Sequence, residues 1–206
     1  MCERVKTLRK ISEDEMISEF LKAEINSKRF GKKILGALRK KRKTKRIVLN
    51  PNLEDKKENQ YRKQLLGMVR GFGKNKDLFE DFPKKIKWEK DSIKKSELKE
   101  VKFIDYGYWN ELSNNTRTPT EAAKNVKNGV KAFNVSNSGF YQILSEIKKG
   151  KKLPLMIFVA KNKKSRIVVL EGNARLTAYF LEPKYLPNKM EVIMGYSKAI
   201  QKWGLY

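Results

Sequence analysis

Ile167-Val168-Val169-Leu170-Glu171-Gly172-Asn173-Ala174-Arg175-Leu176-Thr177-Ala178-Tyr179 is the stretch on which the fold turns. Four aliphatic residues in a row suit a strand buried on both faces. Gly172 stops the strand, and a helix follows at once with Arg175 in its first turn. Such a corner gathers unpaired backbone N–H groups, the positive end of a helix dipole and a guanidinium. It is suited to hold an anion, most often a phosphate. A plainer reading stands beside it: strand–glycine–helix is an ordinary connection, Asn173 an ordinary cap, and Arg175 a partner for Glu171.

Working outward, Leu155-Met156-Ile157-Phe158-Val159 is a second continuous apolar run, separated from the first by the turn Asn162-Lys163-Lys164-Ser165. Met190 to Met194 reads as a third strand after a helix that runs through Leu181. Short apolar strands alternating with helices predict a small sheet covered by helices. Upstream, the pattern is mostly helical. Ser12-Glu13-Asp14-Glu15 has the form of a capping box, and Met16, Ile17, Phe20, Leu21 and Ile25 follow at helical spacing. Phe30, Ile34, Leu35 and Leu38 suggest a second helix, and Tyr61, Leu65, Leu66, Val69 and Phe72 a third, ended by Gly71 and Gly73. Leu98, Val101, Ile104, Tyr108, Trp109 and Leu112 suggest a fourth. Phe79, Phe82, Pro83 and Trp88 fall in a segment without clear period, expected as loop. Thr118-Pro119-Thr120-Glu121 starts another helix, and Ser138 to Lys149 forms one more, closed by Gly150. The expectation is an α+β protein: a helical region over 1–130, then an α/β core over 131–206.

Composition narrows the chemistry. The 206 residues are 39% hydrophobic and contain no histidine and one cysteine, Cys2. Histidine-based acid–base and nucleophile chemistry is therefore excluded, and catalysis must run on carboxylates, Lys, Tyr, Ser/Thr or carboxylate-bound Mg²⁺. A lone cysteine forms no intramolecular disulfide, and no apolar run approaches the roughly 20 residues of a membrane span. Met1-Cys2-Glu3-Arg4 opens no signal peptide. The expected compartment is the cytoplasm. The net charge is +25, from 48 Lys+Arg against 23 Asp+Glu. A polyanion partner and a general lysine bias account for it equally well.

The turn at 171–175 carries a resemblance. Two apolar strands, the second ending in [Asp/Glu]-Gly-x-x-Arg before a Leu-Thr-Ala helix, resemble the core of the ParB/sulfiredoxin superfamily. Lys148-Lys149-Gly150-Lys151-Lys152-Leu153-Pro154, leading into the first strand, is similar to that family's entry. The match covers about residues 134–196. In the superfamily this turn binds nucleotide phosphates: CTP in ParB, ATP in sulfiredoxin, ADP in the free-serine kinases. The resemblance thus implies a nucleotide ligand and phosphate contacts for Gly172, Asn173, Ala174 and Arg175, with Thr177 a further candidate contact; Glu171, at the strand's C-terminal end where ligands bind in open α/β folds, could hold Mg²⁺, accept a proton or bond a ribose hydroxyl. Departures matter. No cysteine stands in the turn, which excludes sulfiredoxin chemistry. Gly-Asn-Ala-Arg replaces the Gly-Glu-Arg-Arg of ParB, and the chain stops without a helix-turn-helix segment, against chromosome partitioning. The serine kinases carry Asp-Gly-His-His-Arg, and Asn173 cannot shuttle a proton as histidine does.

Two other segments are candidates. Arg39, Lys40, Lys41, Arg42, Lys43, Lys45 and Arg46 form the densest basic run, able to grip a nucleic-acid backbone through about seven phosphate contacts. The same run also suits a solvated helix end. Between Trp109 and Arg117 lies a polar loop in which Glu111 and Arg117 could serve as acid–base or phosphate partners, or simply cap a helix. The Trp203-Gly204-Leu205-Tyr206 tail is expected to pack on the sheet. The expected function is nucleotide binding, with Mg²⁺-dependent NTP hydrolysis or phosphoryl transfer to a small molecule as candidate reactions. The alternative is a non-enzymatic DNA- or RNA-binding protein that uses its basic surface.

Overall fold

The computed structural model describes residues 5–206, so the readings made on Met1–Arg4, including Cys2, lie outside the described residues. In chain order the elements are β1 (Val5–Lys10), α1 (Glu13–Glu24), α2 (Gly31–Lys40), α3 (Arg46–Leu49), α4 (Lys56–Arg70), β2 (Lys87–Lys94), α5 (Lys95–Leu98), β3 (Lys102–Phe103), α6 (Gly107–Leu112), α7 (Pro119–Lys127), α8 (Ser138–Lys148), β4 (Met156–Ala160), β5 (Ile167–Glu171), α9 (Asn173–Leu181) and β6 (Lys189–Tyr196). The protein is α+β, built on one six-stranded mixed sheet in the order β1-β2-β6-β4-β5-β3. β4 runs antiparallel to β5 and parallel to β6, and β3 runs parallel to β5. No helix among the described residues is long and apolar enough to cross a membrane.

The continuous apolar runs follow from burial on both faces. In β4, Met156, Phe158 and Ala160 point into one core while Ile157 and Val159 point into the other. In β5, Ile167 and Val169 join the first core, and Val168 and Leu170 the second. The first is completed by α7, α8 and α9 through residues such as Val126, Leu144 and Leu176. The second is completed by the early helices through Phe20, Leu21, Ile34 and Leu66. With side chains alternating at period two, a strand covered twice has no position left for a polar residue.

Most boundaries agree with the helical spacing. Ser12 caps α1 by accepting from the Glu15 N–H at 3.1 Å. Thr118 caps α7 in the same way for Glu121, with Pro119 first in the helix. Two expectations need correction. The periodic set from Leu98 to Leu112 is not one helix: α5, β3 and α6 divide it, and Gly107 begins the second helical piece. The segment expected as loop around Trp88 contains β2, which lies between β1 and β6. Its inward-facing Glu89 and Asp91 are almost fully buried, so the strand has no apolar alternation to see. Tyr196 donates from its hydroxyl to Asp91 at 2.8 Å and Thr7 donates to Glu89 at 2.8 Å, which offsets part of the desolvation. The front segment is mostly helical as expected, yet it supplies three of the six strands, so both segments share one sheet.

Candidate functional site

The strand-to-helix corner closes as the sequence suggests, and for a visible reason. Gly172 has φ +109°, in the left-handed region where glycine is favoured. A Cβ built there would stand 2.6 Å from the Cγ of Met156. Any larger residue would both strain the backbone and collide with β4. From this bend α9 starts without a side-chain cap: the first amide that bonds back is that of Leu176, to the Gly172 carbonyl at 2.8 Å. The amides of Asn173, Ala174 and Arg175 find no backbone acceptor among the described residues. The Asn173 side chain is buried, and its Oδ1 has no hydrogen-bond partner there.

Arg175 is spoken for. Its guanidinium donates to the carbonyls of Pro154 and Leu155 and to the Glu171 carboxylate, and the side chain is almost fully buried. It fastens the entry of β4 to the exit of β5. The plainer of the two readings of this arginine therefore describes its present partners. Glu171 is correspondingly held by a cation one helical turn away. Thr177, expected among the phosphate contacts, is fully buried and donates its hydroxyl to the Asn173 carbonyl at 2.9 Å inside α9. It is not among the residues that line the cleft, and its hydroxyl is spent on the helix backbone one turn back.

Sequence reasoning missed the other half of the corner. Glu24, at the end of α1, and Arg70, at the end of α4, face the 171–175 turn across a cleft of about 2120 Å³. The Arg70 Nε lies 3.4 Å from the Glu24 carboxylate but makes no hydrogen bond, and its guanidinium sits 4.5 Å from the centre of the Phe30 ring. Burial pushes the Glu24 carboxyl up to about 7, and the nearby charge of Glu171 adds to the rise. Arg70, a hydrogen bond with Ser27, and Arg175 act in the opposite sense. Burial also lowers the Arg70 guanidinium from its ordinary value, while Glu24 supports its charge. One signal could have found Glu24. It falls four residues after Phe20, on the buried stripe of α1, where a carboxylate is costly unless it has work or a partner.

The remaining walls are aromatic and mixed in charge. Tyr106, Tyr108, Trp109, Phe133 and Phe140 line one side. Seven basic and seven acidic side chains line the cleft among the described residues, so it is electrically balanced within a chain of net charge +25. The cationic excess lies elsewhere. Arg39 to Arg46 are all exposed at and beyond the end of α2, outside the cleft, with Arg46 paired to Glu58. Glu111 accepts from the Phe133 amide at 2.9 Å. Arg117 donates to Phe103, Leu205 and Tyr206 backbone oxygens and pairs with Asp105, tying the chain's last residues to the sheet. Trp203 is buried there, its indole donating to the Leu78 carbonyl at 3.1 Å.

The donor set does not suit a resident Mg²⁺. Glu171 and Glu24 are the carboxylates of the corner, and each already faces a guanidinium. A hard cation held by the protein would have to displace both. Comparison with protein-family models, with curated proteins and with solved structures finds no match.

Proposed function

We propose that the cleft binds a nucleotide, with its phosphates against the open amides of Asn173, Ala174 and Arg175 and beside the Arg70 guanidinium. The observation that carries this is the convergence of three unpaired amides and an incompletely bonded arginine on one balanced cleft. Amides at a helix start favour an anion, and a guanidinium with free donors adds a fork for its oxygens. In this picture β4, β5 and α9 form a ParB/sulfiredoxin-like core, Arg175 and Glu171 hold the turn in shape, and the protein works in the cytoplasm. Glu24 is the group placed for proton transfer in NTP hydrolysis or phosphoryl transfer, since a carboxyl near neutrality can both give and take a proton.

Thermal-shift titration with nucleoside tri- and diphosphates, with and without Mg²⁺, tests this. The expected result is saturable stabilisation by a nucleotide that Arg70→Ala weakens by about tenfold or more. No shift with any phosphate compound would sink the proposal.

A second reading has one observation in its favour: the cationic excess lies outside a balanced cleft, with residues 39–46 exposed together. A nucleic-acid backbone would then be held on the exterior. Neutralising Arg39, Lys40, Lys41, Arg42, Lys43, Lys45 and Arg46 should flatten the salt dependence of DNA retention, and added nucleotide should change nothing.

A further inference from the structure

Most large apolar side chains among the described residues are buried; of the nine left exposed, Leu49, Tyr106, Phe133 and Val135 stand in the wall of the cleft. Phe133 is the most open of them at 62%. It is also held in an unfavourable backbone state, with φ +49° followed by Asn134 at +58°. A bulky residue in the left-handed region costs free energy that glycine or asparagine would avoid. Two contacts keep it there. The Phe133 amide donates to the Glu111 carboxylate at 2.9 Å, and the tip of the ring lies 3.4 Å from where a Cβ on Gly107 would be. The ring thus rests over the start of α6, beside Tyr106, with much of its surface open to solvent. Hydrophobic burial does not explain an aromatic held outward in this way.

We infer that Phe133, with Tyr106 beside it in the wall, is the shelf on which the base of the bound nucleotide stacks. This rests on the nucleotide proposal above and extends it to the half of the ligand that carries no charge. The occupant follows from the cleft's composition. A polyanion strand would need cations in excess along its path, and the cleft has none. An apolar peptide would leave the unpaired amides at the start of α9 unsatisfied. A molecule with an anionic end and a flat aromatic end meets both walls. Stacking depends on the π-face rather than on edge contacts, so the shelf favours any base over none and larger bases over smaller ones.

Equilibrium binding of a nucleoside triphosphate and of inorganic tripolyphosphate to the full chain separates the two proposals. The wild-type protein should bind the nucleoside triphosphate about tenfold more tightly than tripolyphosphate, in the range expected for one stacked base. Phe133→Ala should remove that advantage and leave tripolyphosphate binding unchanged. The side chain is exposed, so the variant should fold, and an unchanged melting temperature without ligand checks this. Tyr106→Ala should act in the same direction and less strongly. Equal wild-type affinity for the two ligands, or a Phe133→Ala variant that keeps its preference for the nucleotide, overturns the shelf and leaves the phosphate site standing. Failure of the wild type to bind either ligand overturns both.

Discussion

Two carboxylate–guanidinium pairs face each other across the cleft, and they are built for different tasks. In the Glu171–Arg175 pair the guanidinium is also bonded to the carbonyls of Pro154 and Leu155, so little of its capacity remains. In the Glu24–Arg70 pair the nearest approach is 3.4 Å, the Arg70 Nε makes no hydrogen bond, and the carboxyl hovers near neutrality. One pair is a fastening. The other has spare donors and a proton to exchange. The arginine by which the turn resembles a phosphate-binding motif is therefore structural in its present contacts, while the less completely bonded polar groups come from a distant part of the chain.

The sharpest way to break this contrast is to truncate the fastening. Arg175→Ala should cost 3 to 5 kcal/mol of stability, because it leaves Glu171 and two carbonyls without their buried donor. Denaturant midpoints measure it, and a loss below 1 kcal/mol would show that the pair is not structural. Gly172→Ala comes next, at about 3 kcal/mol, from the left-handed backbone and the collision with Met156. Repair by Met156→Ala in the double variant would identify the collision as the larger part.

The Glu24 pair should reveal itself through pH. The folded state keeps the Glu24 proton up to about pH 7, whereas the unfolded chain releases it near the ordinary carboxylate value of 4.5. Between those values the folded state binds more protons, so stability falls as pH rises and levels off above about 7. The decline should be on the order of 3 kcal/mol. Glu24→Gln should flatten the profile over that window, and a slope unchanged in the variant would assign the titration to another group. Smallest in stability but decisive for function, Arg70→Ala should lower phosphate affinity by about tenfold, the effect on binding that Arg175 was expected to have.

Much of the architecture could be read from the chain because capping and doubly covered strands leave local marks. Ser12, Thr118 and Gly150 mark helix boundaries, and the runs at 155–159 and 167–170 are apolar because helices pack on both sides. β2 left no such mark. Its buried Glu89 and Asp91 are satisfied by Thr7, Lys87 and Tyr196, partners far away in the sequence or on the strand itself. The same reason hid half of the candidate site. Glu171 to Arg175 are contiguous and carry their own turn chemistry, whereas Glu24 and Arg70 end two separate amphipathic helices where charged residues are usually solvated. Only the packing of α1 and α4 in the second core, against the face of β4 and β5, brings their ends opposite the corner.

The electrical balance of the cleft also gives ionic strength a diagnostic use. Attraction between a long anionic chain and the exterior lysines is spread over distances comparable to the Debye length, about 8 Å in physiological salt, and collapses as electrolyte is added. A small guest seated on dipoles and a recessed guanidinium is shielded from those mobile ions. Raising the salt should therefore strip polymers held by the exterior charge while sparing the proposed pocket ligand, so a concentrated electrolyte wash can tell the two modes of binding apart during purification.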